Sequence, residues 1–244
     1  MQWIAFGWSL VYSDKYLLGK LPVVGGLDMR FLRHTSSESA YYGGDDDYIS
    51  AMTMCLFKMA VAIVGPSIVS AGASGRMRAE PWLVFTILWA TLVYDPVAYM
   101  VWNDNGLLYK LGCKDFAGGI VLHLTSGVSS LMLSLLLGPT QDFKLGIEAE
   151  SFHLGFAAVG GSLLWVGNLA LNGASEFGAY DNAVRAVLNT QMACSAAVLV
   201  WFIVERIFTG TASCSCMPAV YQILKIVCLR CSATYRQEHG TLLS

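Results

Sequence analysis

Five apolar stretches, at 51–72, 82–102, 116–137, 152–172 and 184–204, dominate this chain. Each is long enough to cross a bilayer, since a spanning helix needs about 20 predominantly apolar residues. Short polar connections separate them: "GASGRMRAEP", "NDNGLLYKLGCKD", "GPTQDFKLGIEAE" and "NGASEFGAYDN". These are rich in the Gly, Pro, Asn and Asp that end helices. In lipid every backbone N–H and C=O must be satisfied within its own segment, so stretches of this length fold as helices. The predicted fold class is an all-α membrane protein with about five complete transmembrane helices. Composition agrees, because only 13% of residues are charged and the mean hydropathy is +0.55, whereas a soluble domain carries about 25% charged residues.

The segments outside the spans are read by their polarity. Residues 1–12, "MQWIAFGWSLVY", are apolar but too short to span and lack the basic start of a signal peptide. They read as the end of a transmembrane helix. Residues 13–50 are polar and end in "YYGGDDDY"; like charges repel and stay hydrated, so this is an extramembrane loop. Residues 207–244 form an atypical cysteine-containing tail, in which Cys214, Cys216, Cys228 and Cys231 follow C-x-C and C-x-x-C spacing. That pattern fits no common zinc finger, and an odd total of seven cysteines is no disulfide framework.

Several function classes are excluded. A formal net charge of −2 without a basic cluster gives no reason to expect nucleic acid. No phosphate-binding glycine loop, nucleophile elbow or metal-ligand helix occurs, so neither an enzyme nor a cofactor is expected. Lysines and arginines divide evenly between the two sides, and orientation does not follow from charge.

Ionisable side chains at membrane depth carry the functional information, because each costs roughly 2.5 to 3.5 kcal/mol on insertion scales and usually faces a bundle interior or a pathway. His123 and Lys58 are the two that sit well inside the stretches. Taken alone, His123 reads first as a structural histidine bonded to a neighbouring helix, and it is context that moves this reading. Asp115 precedes the helix that carries His123, where its carboxylate caps free N–H groups and suits the positive end of the dipole. Gly118 and Gly119 allow close approach of another helix. Trp102 ends its stretch as an interfacial belt residue would, and its ring face is also the best side-chain site for a small cation.

In order along the chain, "FKMAVAIVGPSIVSAGASGRMR", "LWATLVYDPVAYMVW", "GCKDFAGGIVLHLTSG" and "LLWVGNLALNGAS" resemble the ammonium transporters of the Amt/Mep family. The likeness covers about residues 50–206, and "DFAGG" followed by histidine four residues later is its most specific part. It identifies the chain as a truncated or partial member, a partial ammonium-transporter helical bundle. The resemblance implies a trimer with one pore per protomer, an outer vestibule that selects ammonium, an aromatic constriction, and a hydrophobic conduit lined by two facing histidines. It implies Trp102 as the vestibule tryptophan, Ser175 as the serine that hydrogen-bonds the ion, and Phe57 as a constriction aromatic. It also implies Asp115 as the aspartate that supports recruitment and His123 as the first pore histidine. The implied partners are ammonium or ammonia, the lipid bilayer of a plasma membrane, and further copies or intact family members.

Elementary energetics suit those roles. Moving a bare ion as small as ammonium into hydrocarbon costs on the order of tens of kcal/mol. A tryptophan face and a hydroxyl can gather it at the mouth, but passage needs the proton removed and handled by imidazole. The chain also departs from the family's pattern. Lys58 stands where glutamine is common, and a cation there repels ammonium unless it snorkels or pairs. Val61 and Leu171 replace phenylalanines, Tyr99 stands where histidine is common, and Gly75 stands where glutamate normally precedes the arginine of "GRM". The second reading is a non-transporting member that acts at most as an interaction partner of intact protomers.

Overall fold

The computed structural model describes residues 1–17, 21–35, 40–42, 49–140 and 154–209. Besides a single 3-10 turn at Arg30–Leu32, seven helices order the described residues. They are α1 (Trp3–Tyr12), α2 (Ala51–Ala73), α3 (Ala79–Trp89 running through Ala90–Tyr94 into Asp95–Trp102), the short α4 (Leu107–Lys110), α5 (Gly119–Leu137), α6 (Leu154–Ala174) and α7 (Asp181–Thr209). Four helical segments are long and apolar enough to cross a membrane: Ala51–Ala73, Ala79–Lys110, Gly119–Leu137 and Asp181–Val204. The chain is therefore an all-α, multi-pass membrane bundle.

This corrects the expectation of five spans to four among the described residues. The expected 152–172 stretch forms the 21-residue α6, but its first two residues lie outside the described residues, and it is not among the four. Within the expected 13–50 loop, Ala40–Tyr42 pairs antiparallel with Ile49–Ser50. The aspartate run of that loop, the tail from residue 210 onward and His153 lie outside the described residues.

The chain divides into two compact units, Met1–Ser70 with Met77–Ser129, and Ala71–Arg76 with Ser130–Ser244. In the first, α1 is buried through Trp3, Trp8, Leu10, Val11 and Tyr12. Its aromatic rings meet edge-on or tilted, with centroids 6.2 Å apart for Trp3 and Trp8 and 6.4 Å for Trp3 and Tyr94. Such pairs contribute about 0.5–1.5 kcal/mol each beyond area burial. The indole N–H groups find acceptors, Trp3 on the Cys55 carbonyl at 3.2 Å and Trp8 on the Thr35 hydroxyl at 3.1 Å. The loop after α1 folds back onto it, the Gly25 N–H donating to the Leu10 carbonyl at 2.7 Å.

Small residues set how closely the spanning helices approach. A Cβ on Gly65 of α2 would meet the Trp89 ring at 3.2 Å, so glycine lets that indole lie against the α2 backbone where a side chain would push it off by a few tenths of an ångström. Trp89 in turn donates from Nε1 to the Ser129 hydroxyl of α5 at 2.9 Å. The opposite face of α3 presents Leu83, Val84, Ile87, Leu88 and Leu92, all exposed, which is the surface a lipid-facing helix offers.

In the second unit, α6 and α7 pack along each other. Trp165 Nε1 donates to Gln191 Oε1 at 3.0 Å and Asn172 Nδ2 to the Thr190 hydroxyl at 2.7 Å. Polar pairs between helices hold where lipid and side chain are equally apolar. The guanidinium of Arg76 donates to the Gly138 carbonyl at 2.8 Å and to that of Gly72 at 3.2 Å, closing the turn after α2.

Candidate functional site

The "DFAGG" motif is a helix-capping device. Asp115 Oδ1 accepts the N–H groups of Gly118 at 2.9 Å and Gly119 at 2.7 Å, and Oδ2 accepts those of Ile120 at 2.8 Å and Val121 at 2.9 Å. One carboxylate thus satisfies the orphan donors at the start of α5, the arrangement that a helix N-terminus favours for an anion. The turn requires Gly118 at φ +96°, where side chains are strained. Its Cβ would also sit 3.1 Å from Leu122 Cβ. A Cβ on Gly118 would lie 3.6 Å from the Trp102 ring of α3 and one on Gly119 3.7 Å from Asp115 Oδ1, both ordinary contact distances.

Trp102, half-buried at the end of α3, is tied to this cap. Its Nε1 donates to the Asp115 carbonyl at 2.9 Å, which holds the ring edge and leaves a face available. Lys58 occupies that face, with Nζ 3.6 Å from the Trp102 ring centroid and 6.0 Å from that of Phe57. Lys58 is only 7% exposed. Among the described residues its ammonium makes no hydrogen bond and no salt bridge; the ion pair there is Lys15 with Asp28, at 3.9 Å. A cation on a tryptophan face gains ~0.5 to 2 kcal/mol, more as it is desolvated. A second unit charge about 4 Å from Nζ would be repelled by about 4 kcal/mol at an effective dielectric constant near 20.

His123 follows the cap on a π-helical turn, Gly119–Leu124, where its N–H reaches back to the Gly118 carbonyl at 3.0 Å. Thr125 Oγ1 donates to the Ile120 carbonyl at 2.9 Å, with the same five-residue reach. Such turns are frequent at functional sites because they re-aim a side chain within a helix. His123 is exposed, and its ring makes no hydrogen bond among the described residues.

Trp102, Asp115, Phe57 and His123 all belong to the first unit, and Trp102, Asp115 and the Phe57–Lys58 turn form one cluster. Ser175 belongs to the second. It is buried, and its hydroxyl donates to the Leu171 carbonyl of its own helix at 2.8 Å. Val61 is buried at 3% exposure and Tyr99 is fully buried.

Sequence reasoning missed Asp95. This fully buried carboxylate accepts Gln2 Nε2 at 2.6 Å through Oδ2, while Oδ1 finds no partner among the described residues. The signal was available, an aspartate within the apolar run "LVYDPVAYMVW". Among the described residues no group of His, Cys, Asp and Glu is placed to hold a metal.

Comparison with known proteins gives one answer. The profile of the Ammonium Transporter Family matches residues 1–218. The chain is 34% identical over 205 residues to an ammonium transporter of Bacillus subtilis, covering 84% of this chain and 48% of the relative. It is 34% identical over 210 residues to a putative ammonium transporter of Methanothermobacter thermautotrophicus, again covering 48% of that protein. The crystal structure of Saccharomyces cerevisiae Mep2 superposes with a TM-score of 0.76 at 27% identity, covering 93% of this chain and 51% of that one. Mep2 of Candida albicans superposes with a TM-score of 0.74. The chain spans about half the length of the relatives it matches. By this match of sequence and fold, the chain belongs to the Ammonium Transporter Family.

Proposed function

We propose that this chain is a non-transporting member of the family that acts at most as an interaction partner of intact, ammonium-transporting protomers, in a trimer or hetero-oligomer of a plasma membrane. The lysine ammonium on the Trp102 face carries the proposal: Lys58 Nζ lies 3.6 Å from the ring centroid, where a cation arriving at the mouth would have to bind, and its like charge repels that cation.

The second reading is transport through the protomer's own pore. Ammonium would be recruited at Trp102 and Ser175 with Phe57 at the constriction, lose its proton, and pass as ammonia along His123. The bond between Trp102 and Asp115 supports it, because it ties the cation-binding face to the cap of the helix that carries His123.

Uptake of methylammonium by cells lacking their own ammonium transporters separates the two. The chain alone should give no uptake above an empty vector, and it should co-purify with an intact relative expressed beside it. Uptake by the chain alone, abolished by His123→Ala, would establish the second reading instead.

A further inference from the structure

We infer that Lys58 is a tethered competitor for the cation-receiving face of Trp102, so that ammonium binds there only when the lysine side chain is displaced. The inference rests on reading Trp102 as that face. Nζ of Lys58 is a primary alkylammonium, the same chemical group as methylammonium carried on a four-carbon stem. It lies 3.6 Å from the Trp102 ring centroid, where an arriving ion would gain its cation–π attraction.

Three observations hold it there. The side chain is 7% exposed, so it does not extend into solvent. It makes no hydrogen bond or salt bridge among the described residues that would draw Nζ elsewhere. The carboxylate of Asp115 attracts the ammonium through space but makes no salt bridge with it, both oxygens being engaged by the four backbone N–H groups of Gly118, Gly119, Ile120 and Val121. A short flexible tether presents its group at an effective concentration on the order of mM. Dilute free ammonium therefore competes against an occupant that never leaves the neighbourhood, and it meets like-charge repulsion on arrival.

The test is equilibrium dialysis of radiolabelled methylammonium against the purified full chain in detergent micelles. Lys58→Met, which keeps an unbranched chain one atom shorter and removes the charge, and Lys58→Gln should bind at least about tenfold more tightly than the unsubstituted chain. Lys58→Arg should stay weak, and Trp102→Leu added to Lys58→Met should abolish the gain. Equal binding by the unsubstituted chain and Lys58→Met would overturn the inference while leaving Trp102 as a cation site. Absence of binding in every variant would overturn both. A measurement on the unsubstituted chain covers variants that do not fold: with 13C-labelled lysine, the Lys58 Hε protons should be shifted upfield by the indole ring current and move back as methylammonium saturates. Protons at the ordinary solvent-lysine position would overturn the inference.

Discussion

The indole N–H of Trp102 donates to the backbone carbonyl of Asp115 at 2.9 Å, while the carboxylate of that same aspartate caps the helix that carries His123. One residue therefore fixes the tryptophan through its main chain and starts the histidine helix through its side chain. The geometry of the cluster and the stability of α5 depend on the same few atoms.

Asp115→Ala should be strongly destabilising. It leaves the N–H groups of residues 118–121 without their acceptor, and replacing an ordinary N-cap costs about 0.5–2 kcal/mol. The loss should reach or exceed the top of that range, about 2 kcal/mol, because the acceptor is charged. Asp115→Asn keeps one oxygen and should fall between the two. Thermal unfolding in detergent, followed by circular dichroism, measures the order.

Gly118→Ala and Gly119→Ala should differ although the residues are neighbours. At φ +96° an alanine in place of Gly118 is strained by about 1–3 kcal/mol, whereas the Gly119 position has an ordinary φ and room for a methyl group. Similar melting temperatures for the two variants would contradict the turn described.

The hydrogen bond from Trp89 to Ser129 should behave as one unit. Trp89→Phe and Ser129→Ala should each cost about 0.5–1.5 kcal/mol through that bond, with Trp89→Phe also losing ring volume against Gly65. The double substitution should cost less than the sum, and a double-mutant cycle reads the coupling directly. Simple additivity would mean that the bond contributes nothing.

Gln2→Leu should leave the Asp95 carboxylate without its donor at 2.6 Å, a loss of about 1–3 kcal/mol. Adding Asp95→Leu should recover most of that loss, since an apolar pair of similar size replaces a buried polar pair at little or no cost. Failure of the second substitution to rescue the first would assign Asp95 a role beyond pairing with Gln2.

Much of this was legible without coordinates, for a definite reason. Length and apolarity determine spans because lipid forbids unsatisfied backbone, so α2, α3, α5 and α7 lie close to the stretches where hydropathy puts them. The aspartate ahead of α5 was readable as a cap because capping is local. The count of spans was less secure. Four rather than five meet the requirement among the described residues.

What hydropathy could not reach were contacts made across helices. Lys58 stood out in the sequence as a misplaced cation, yet whether it snorkels, pairs or blocks depends on where Trp102 lies, 44 positions further along the chain. Gly118 was read as a packing glycine, and its positive φ, which spacing does not reveal, is a further reason for glycine there. Asp95 drew no notice because its partner, Gln2, is the second residue of the chain and meets it only after folding. The sequence by itself determined the class, the family and the order of the motifs, since these follow from local polarity and spacing. Only the tertiary structure decided that a lysine ammonium occupies the tryptophan face, because side chains from separate helices become neighbours only through packing.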